Sequence, residues 1–263
     1  MSRGRAPMAK SKSVWLCQRC AFEAPAFENP CRNCNEWNSL VETIKERPSA
    51  SARVRAATSA SAGGPARPQA LRRASADRAP RVPLGVPEFD RVLGGGAVPG
   101  SVVLLGGEPG IGKSTLLLQA AAGIAAAGGR VLYASGEESA AQIADRAERL
   151  GLMEGPAADG VELLAESEVG AISEALMRST PTLLIVDSIQ TATLGGLEGP
   201  AGSVGQVRGA ADWFAGAARA TGCAVILVGH VTKEGSIAGP KTLEHLVDTV
   251  VMLDGDRHGT LRT

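Results

Sequence analysis

Gly107–Thr115 reads GEPGIGKST; it follows the apolar run Ser101–Leu105 and leads into the alanine-rich Leu116–Ala127. A strand, a glycine-rich turn and a helix start are the setting in which G-x-x-x-x-G-K-[ST] acts as a phosphate cradle. Gly107, Gly110 and Gly112 reach backbone angles closed to other residues. The loop they form with Glu108, Pro109 and Ile111 can therefore aim successive N–H groups at phosphate oxygens. Lys113 adds a positive charge, read as an exposed loop charge. Ser114 offers a hydroxyl to Mg²⁺, and Thr115 continues a helix start whose dipole favours an anion. ATP or ADP with Mg²⁺ is the expected ligand. The bland alternative, an ordinary glycine turn between strand and helix, leaves the full motif in this setting unexplained.

Outward from that loop, strand and helix signals alternate. Strands are expected near Val102–Leu105, Arg130–Ala134, Val161–Leu164, Thr182–Asp187, Ala224–Gly229 and Thr249–Leu253. Helices are expected near Glu88–Leu93, Ser114–Ala127, Ala140–Leu150, Val169–Arg178 and Val204–Thr221. Such alternation means crossover units and a mainly parallel sheet, an α/β fold with a P-loop core, and it puts functional residues at the carboxyl ends of strands. Three ends carry suitable groups. LLIVD ends in Asp187, the Walker B pattern, whose carboxylate can hold Mg²⁺ through water. After Ala134 comes SGEES, where Glu137 is the choice for general base over Glu138. The competing reading is a helix start capped by Ser139 with acids favoured by the dipole. His230 tips the strand before it as a γ-phosphate sensor or as a plain hydrogen-bonded residue. Cys223 is read as a small buried hydrophobe and His245 as structural, on a short helix.

The 263 residues have room for about one to two domains. Three regions are expected: a zinc-binding ribbon over 8–46, a flexible basic linker over 47–81 and an ATPase domain over 82–263. In the ribbon, Cys17 and Cys20, then Cys31 and Cys34, form two C-x-x-C knuckles. Two knuckles complete a closed four-thiolate site for structural Zn²⁺; a redox dithiol or two disulfides are the alternatives. Trp15, Phe22, Phe27 and Trp37 crowd into the same stretch, either as a small core around the metal or as a surface for a partner or nucleic acid. The linker carries eight Arg and one Asp, whereas 82–263 carries 12 basic and 21 acidic residues, so the zero net charge conceals a basic arm on an acidic body. Such an arm is a solvated spacer or attracts a phosphate backbone. No apolar run approaches the roughly 20 residues of a membrane span, and the start lacks the hydrophobic segment of a secretory signal. A cytoplasmic location without membrane contact is the expectation.

The four-cysteine ribbon, EFDRVLGGGAVPGSVVLLGGEPGIGKSTLLLQ, LYASGEES, LLIVDSIQT and VGHVTKEGSIAGPKTLEHLVD together resemble the RadA (Sms) family of bacterial DNA repair proteins. GHVTKEG and AGPKTLEH are not general to ATPases. The resemblance implies a RecA-like, DNA-dependent ATPase that assembles as a hexameric ring, promotes branch migration of recombination intermediates and works with a recombinase such as RecA. It places Glu137 at the catalytic glutamate position and His230 at the sensor position. It also puts DNA-contacting loops after Asp187 and after His230. A KaiC-like signalling ATPase without nucleic acid, or a nucleotide-switched scaffold with little turnover, are the alternatives. The ribbon departs from the family pattern at Ala21, Phe27 and Arg32. The family also continues past Thr263 into a KNRFG motif and a Lon-protease-like domain. Without a basic residue from that segment, the expectation is MgATP binding with weak hydrolysis, little DNA stimulation and no stable hexamer.

Overall fold

The computed structural model describes residues 13–17, 23–24, 26–32, 34–44, 70–72, 79–230 and 243–255. The chain divides into two compact units, Met1–Arg53 and Val54–Thr263. The first holds three short antiparallel strands, β1 (Ser13–Cys17), β2 (Glu23–Ala24) and β3 (Leu40–Ile44), with β1 in the centre. Among the described residues, Cys17, Ala24, Cys31 and Leu40 form its buried hydrophobic cluster, and Trp15 packs against them. So small an apolar set is a poor core by itself, which is the usual reason such modules need a metal.

The second unit runs α1 (Pro87–Val92), β4 (Val102–Gly107), α2 (Lys113–Ala126), β5 (Val131–Ser135), α3 (Ala140–Arg149), α4 (Pro156–Asp159), β6 (Val161–Ala165), α5 (Val169–Ser179), β7 (Leu183–Asp187), α6 (Val204–Thr221), β8 (Ala224–His230) and β9 (Thr249–Leu253). Its six strands form one sheet in the order β6-β5-β7-β8-β4-β9, and every pairing is parallel. β4, β5 and β7 are buried along their whole length, as strands covered on both faces must be.

Alternation along the strands divides the core into two. Val103, Leu105, Val131, Tyr133, Leu183, Ile185, Ile226 and Val228 pack with Leu117, Ala121 and Ile124 of α2 and Ile143 of α3. Val102, Leu104, Leu132, Leu184, Val186 and Leu227 pack with Ile172 of α5 and with Val207, Phe214 and Ala218 of α6. Helices thus cover both faces, with α2 directly behind the phosphate loop. α3 starts at a capping box, in which Ser139 accepts from the Gln142 N–H and Gln142 reaches back to the Ser139 N–H. α6 ends at Gly222 in the left-handed region.

The seating of α2 depends on a missing side chain. A Cβ on Gly123 would lie 2.4 Å from the Leu84 carbonyl oxygen and 3.0 Å from Gly85 Cα. Gly123→Ala must push α2 off this backbone, and overpacking of this kind costs about 1–3 kcal/mol. The expected result is a lower thermal midpoint, read by circular dichroism; an unchanged midpoint would show that the segment yields freely.

Arg81, the last residue of the basic stretch, donates to the carbonyls of Leu93 and Gly96 at 2.7 and 3.2 Å. His245 lies in an exposed turn and not on the short helix expected for it. Of the basic linker only residues 70–72 and 79–81 are among those described.

Candidate nucleotide site and cysteine centre

The carboxyl ends of β5, β7, β8 and β4 lie side by side, and each delivers one part of the site. From β4 the chain turns through Gly107–Gly112, with Gly110 and Gly112 at φ +79° and +110°, a backbone that L side chains rarely adopt. Glu108, Pro109 and Gly110 are exposed, Ile111 and Gly112 half-buried, and Ser114 and Thr115 stand half-buried in the first turn of α2. A Cβ on Gly107 would lie 2.7 Å from the Leu253 carbonyl oxygen, so the end of β9 requires glycine there.

Lys113 differs from the expected exposed charge: it is only 4% exposed. Its ammonium donates to the carbonyls of Gly107 and Glu108 at 2.8 and 2.9 Å. Burial pulls its pKa below the ordinary lysine value, and the nearby carboxylates of Asp187 and Glu137 oppose that shift. A buried cation at the mouth of a loop with exposed backbone suits an anionic ligand, and the residues present therefore fit a nucleotide phosphate chain.

Asp187, at the end of β7, is 4% exposed and accepts a 2.7 Å hydrogen bond from the Tyr133 hydroxyl. The Asp187–Ser188 peptide is cis. Ser188 donates to Glu137 Oε1 at 2.5 Å, and His230 Nε2 lies 3.1 Å from the same oxygen. Burial pushes the Glu137 pKa up, but the hydrogen bonds from Ser188 and His230 and the charge of Lys113 more than offset it, so the group lies below the ordinary glutamate value. Glu138 turns the other way and takes two hydrogen bonds from Arg146, at 2.7 and 2.5 Å. Because Ser139 and Gln142 cap α3 between them, neither acid is needed as a cap.

The structure thus gathers Lys113, Asp187, Glu137 and His230 at neighbouring strand ends. It adds three residues that sequence reasoning passed over: Tyr133, Ser188 and Arg146. Arg146 is one of two bases in the last turn of α3, and nothing in the sequence sets it apart from Arg149 as the partner of Glu138; Ser188 carries no signal beyond following Asp187. Cys223 is buried as expected, and burial pushes its thiol up to about 12.

In the first unit, the Sγ atoms of Cys17, Cys31 and Cys34 lie within 4.8 Å of one another. Cys17 and Cys34 are 3.6 Å apart, far beyond a disulfide bond. Two thiolates on one tetrahedral zinc stand about 3.8 Å apart, given Zn–S bonds of about 2.3 Å. The three sulfurs fit that ion; Cys20, the fourth expected ligand, lies outside the described residues. Trp15 and Phe27 meet edge to face at 4.8 Å. Phe27 and Trp37 are 54% and 67% exposed, so these two rings are not a core around the metal. Phe22 is outside the described residues.

A wholly parallel sheet with a phosphate loop after β4, and with carboxylates at the ends of β7 and β5 beyond the intervening β8, is a RecA-like P-loop core, here preceded by a small cysteine ribbon. The model of the AAA domain family matches residues 66–236, and the chain belongs to that family. Curated relatives carry the name DNA repair protein RadA. The one from Halalkalibacterium halodurans is 46% identical over 255 residues, 97% of this chain and 54% of that protein. Those of Bacillus subtilis and Streptococcus pyogenes are each 45% identical, again over 97% of this chain and 54% of their own length. The chain therefore spans about half the length of the curated relatives it matches. Among the described residues no helix is long and apolar enough to cross a membrane.

Proposed function

We propose that this chain is an ATP hydrolase of recombinational DNA repair, the motor part of a RadA-like protein that promotes branch migration of recombination intermediates. The observation that carries the ATPase reading is the gathering of Lys113, Asp187 and Glu137 at one edge of the sheet, past the carboxyl ends of β4, β7 and β5. In this reading the N–H groups of Gly107–Thr115 and the Lys113 ammonium bind the phosphates, with Lys113 leaving its two carbonyl partners. Ser114 and Asp187 hold Mg²⁺, which supplies charge neutralisation on the phosphates when bound. Glu137 accepts a proton from water aligned for in-line attack, and His230, already in contact with Glu137, responds to the γ-phosphate. Cys17, Cys20, Cys31 and Cys34 hold a structural zinc, and the exposed Phe27 and Trp37 of the ribbon offer a surface to DNA or a protein partner.

DNA as partner, a recombinase such as RecA, a hexameric ring and a cytoplasmic location rest on the likeness to the repair proteins. The loops after Asp187 and after His230 are the DNA-facing segments of this proposal; residues 231–242 of the second are outside those described. Steady-state ATP turnover with and without single-stranded and branched DNA tests the function directly. Stimulation by DNA supports the motor. Because residues 1–263 alone are expected to hydrolyse slowly with little DNA stimulation, DNA binding in the presence of MgATP is measured alongside: turnover without DNA binding supports a KaiC-like ATPase, and nucleotide binding with neither turnover nor DNA binding supports a switched scaffold. The same assay, with light scattering, measures how fast residues 1–263 hydrolyse ATP and whether they form rings.

For the ribbon, elemental analysis is expected to give about one zinc per chain, since a closed four-cysteine site holds one ion. Cys17→Ser is expected to release it while nucleotide binding persists, because structural zinc is a folding element of its own small module. Metal-free protein with titratable disulfides would overturn the zinc reading.

A further inference from the structure

The chain contains a single tyrosine, and it lies in the middle of a strand with no exposed surface. Tyr133 of β5 is paired with Ile185 of β7, two residues before the Ser135–Asp187 pairing. It shares the α2 face of the sheet with Leu183 and Ile185, and that is the face to which alternation also turns Asp187. Tyr133 is thus the diagonal neighbour of Asp187 on one face, a separation that only a long side chain spans. Its hydroxyl covers the distance and donates to Asp187 Oδ2 at 2.7 Å.

We infer that Tyr133 is a positioning residue for the magnesium side of the nucleotide site: its hydroxyl fixes the rotation of the Asp187 carboxylate, engaging one oxygen and leaving the other for the hydrated cation. The inference rests on the nucleotide-site reading above. A carboxylate turns about its last bond with little preference of its own. At 4% exposure Asp187 has little water to hold it. Among the described residues, Tyr133 is the group that hydrogen-bonds to its side chain. A phenylalanine would fill the same space between the sheet and α2, so packing alone leaves the hydroxyl unexplained. What the hydroxyl adds is orientation of a metal-side ligand, a role in which replacement typically costs about 10–100-fold in metal affinity.

The test separates the ring from the hydroxyl. A fluorescent ADP analogue is titrated into the 263-residue chain and into Tyr133→Phe, first in EDTA and then across a MgCl₂ series. Metal-free affinity should move little, while the Mg²⁺ concentration giving half-maximal tightening should rise about tenfold in the variant. Superimposable Mg²⁺ curves would overturn the inference, and so would equal losses in EDTA and in Mg²⁺, which indicate general damage. Lys113→Ala, run alongside, should weaken the analogue in both conditions. If it does while Tyr133→Phe leaves the Mg²⁺ curve unmoved, this inference fails and the nucleotide site stands; if Lys113→Ala binds normally, the site reading itself fails. Should Tyr133→Phe not fold, the unsubstituted sequence still decides the question. Labelled with 3-fluorotyrosine it has one ¹⁹F resonance, which should shift when Mg²⁺ is added to the ADP-loaded protein. A resonance that does not move overturns the proposal.

Discussion

Lys113→Ala is expected to lower ATP turnover by about 10²- to 10³-fold, the range for removing one donor from a site of developing charge. It is also expected to weaken nucleotide binding while the fold persists. The ammonium is buried against the loop carbonyls of Gly107 and Glu108, and burial already pulls its pKa down. Its removal costs two hydrogen bonds and also relieves a poorly solvated charge, so the two effects on stability oppose each other. Calorimetric titration with MgADP, phosphate release and thermal unfolding would be measured together. Turnover at the level of the unsubstituted chain would sink the phosphate-loop assignment. Lost turnover accompanied by collapse of the thermal transition would instead show that Lys113 holds the loop together.

The second large effect belongs to Glu137. Glu137→Gln should bind nucleotide normally and hydrolyse it about 10²- to 10⁴-fold more slowly, because the amide keeps the shape but cannot take a proton. Glu138→Gln should leave turnover nearly intact. The reason is geometric: Glu138 is engaged by Arg146, whereas Glu137 faces Ser188, His230 and the charge of Lys113. If the two variants exchange phenotypes, the assignment of the base is wrong. The depressed pKa of Glu137 has its own signature. The acid limb of the turnover–pH profile should fall below the ordinary glutamate range, and Ser188→Ala, which removes a hydrogen bond favouring the charged form, should move that limb upward.

Much of this was legible in the residues because the core strands are short apolar runs bounded by glycine, serine and charge. The expected element bounds lie within a residue or two of those found, from Val102–Gly107 to Thr249–Leu253. Lateral order was not legible. β4, β7 and β8 are equally apolar, and nothing in a run such as VVLL or LLIV says which run it lies beside. The choice between Glu137 and Glu138 was also beyond pattern, since adjacent residues in a turn share no period. What bears on it is Arg146, eight positions on, which hydrogen-bonds to Glu138 and leaves Glu137 to Ser188 and His230. Tyr133 was absorbed into an apolar strand, and only the register between β5 and β7 shows what its hydroxyl can reach. Lys113 reads as a loop charge because sequence alone does not show how far the loop folds back over its stem.

β4 is flanked by β8 and β9, with Val103 opposite both Ile226 and Thr249. Both neighbours are made long after it. A ribosome adding about 5–20 residues per second needs roughly 7 to 30 seconds to travel from the phosphate loop to β9. For most of that interval neither β8 nor β9 has been made, so the strand that carries the glycine-rich turn lacks both of its neighbours and ATP finds no finished pocket. Nucleotide capture is therefore a late event in the birth of this domain.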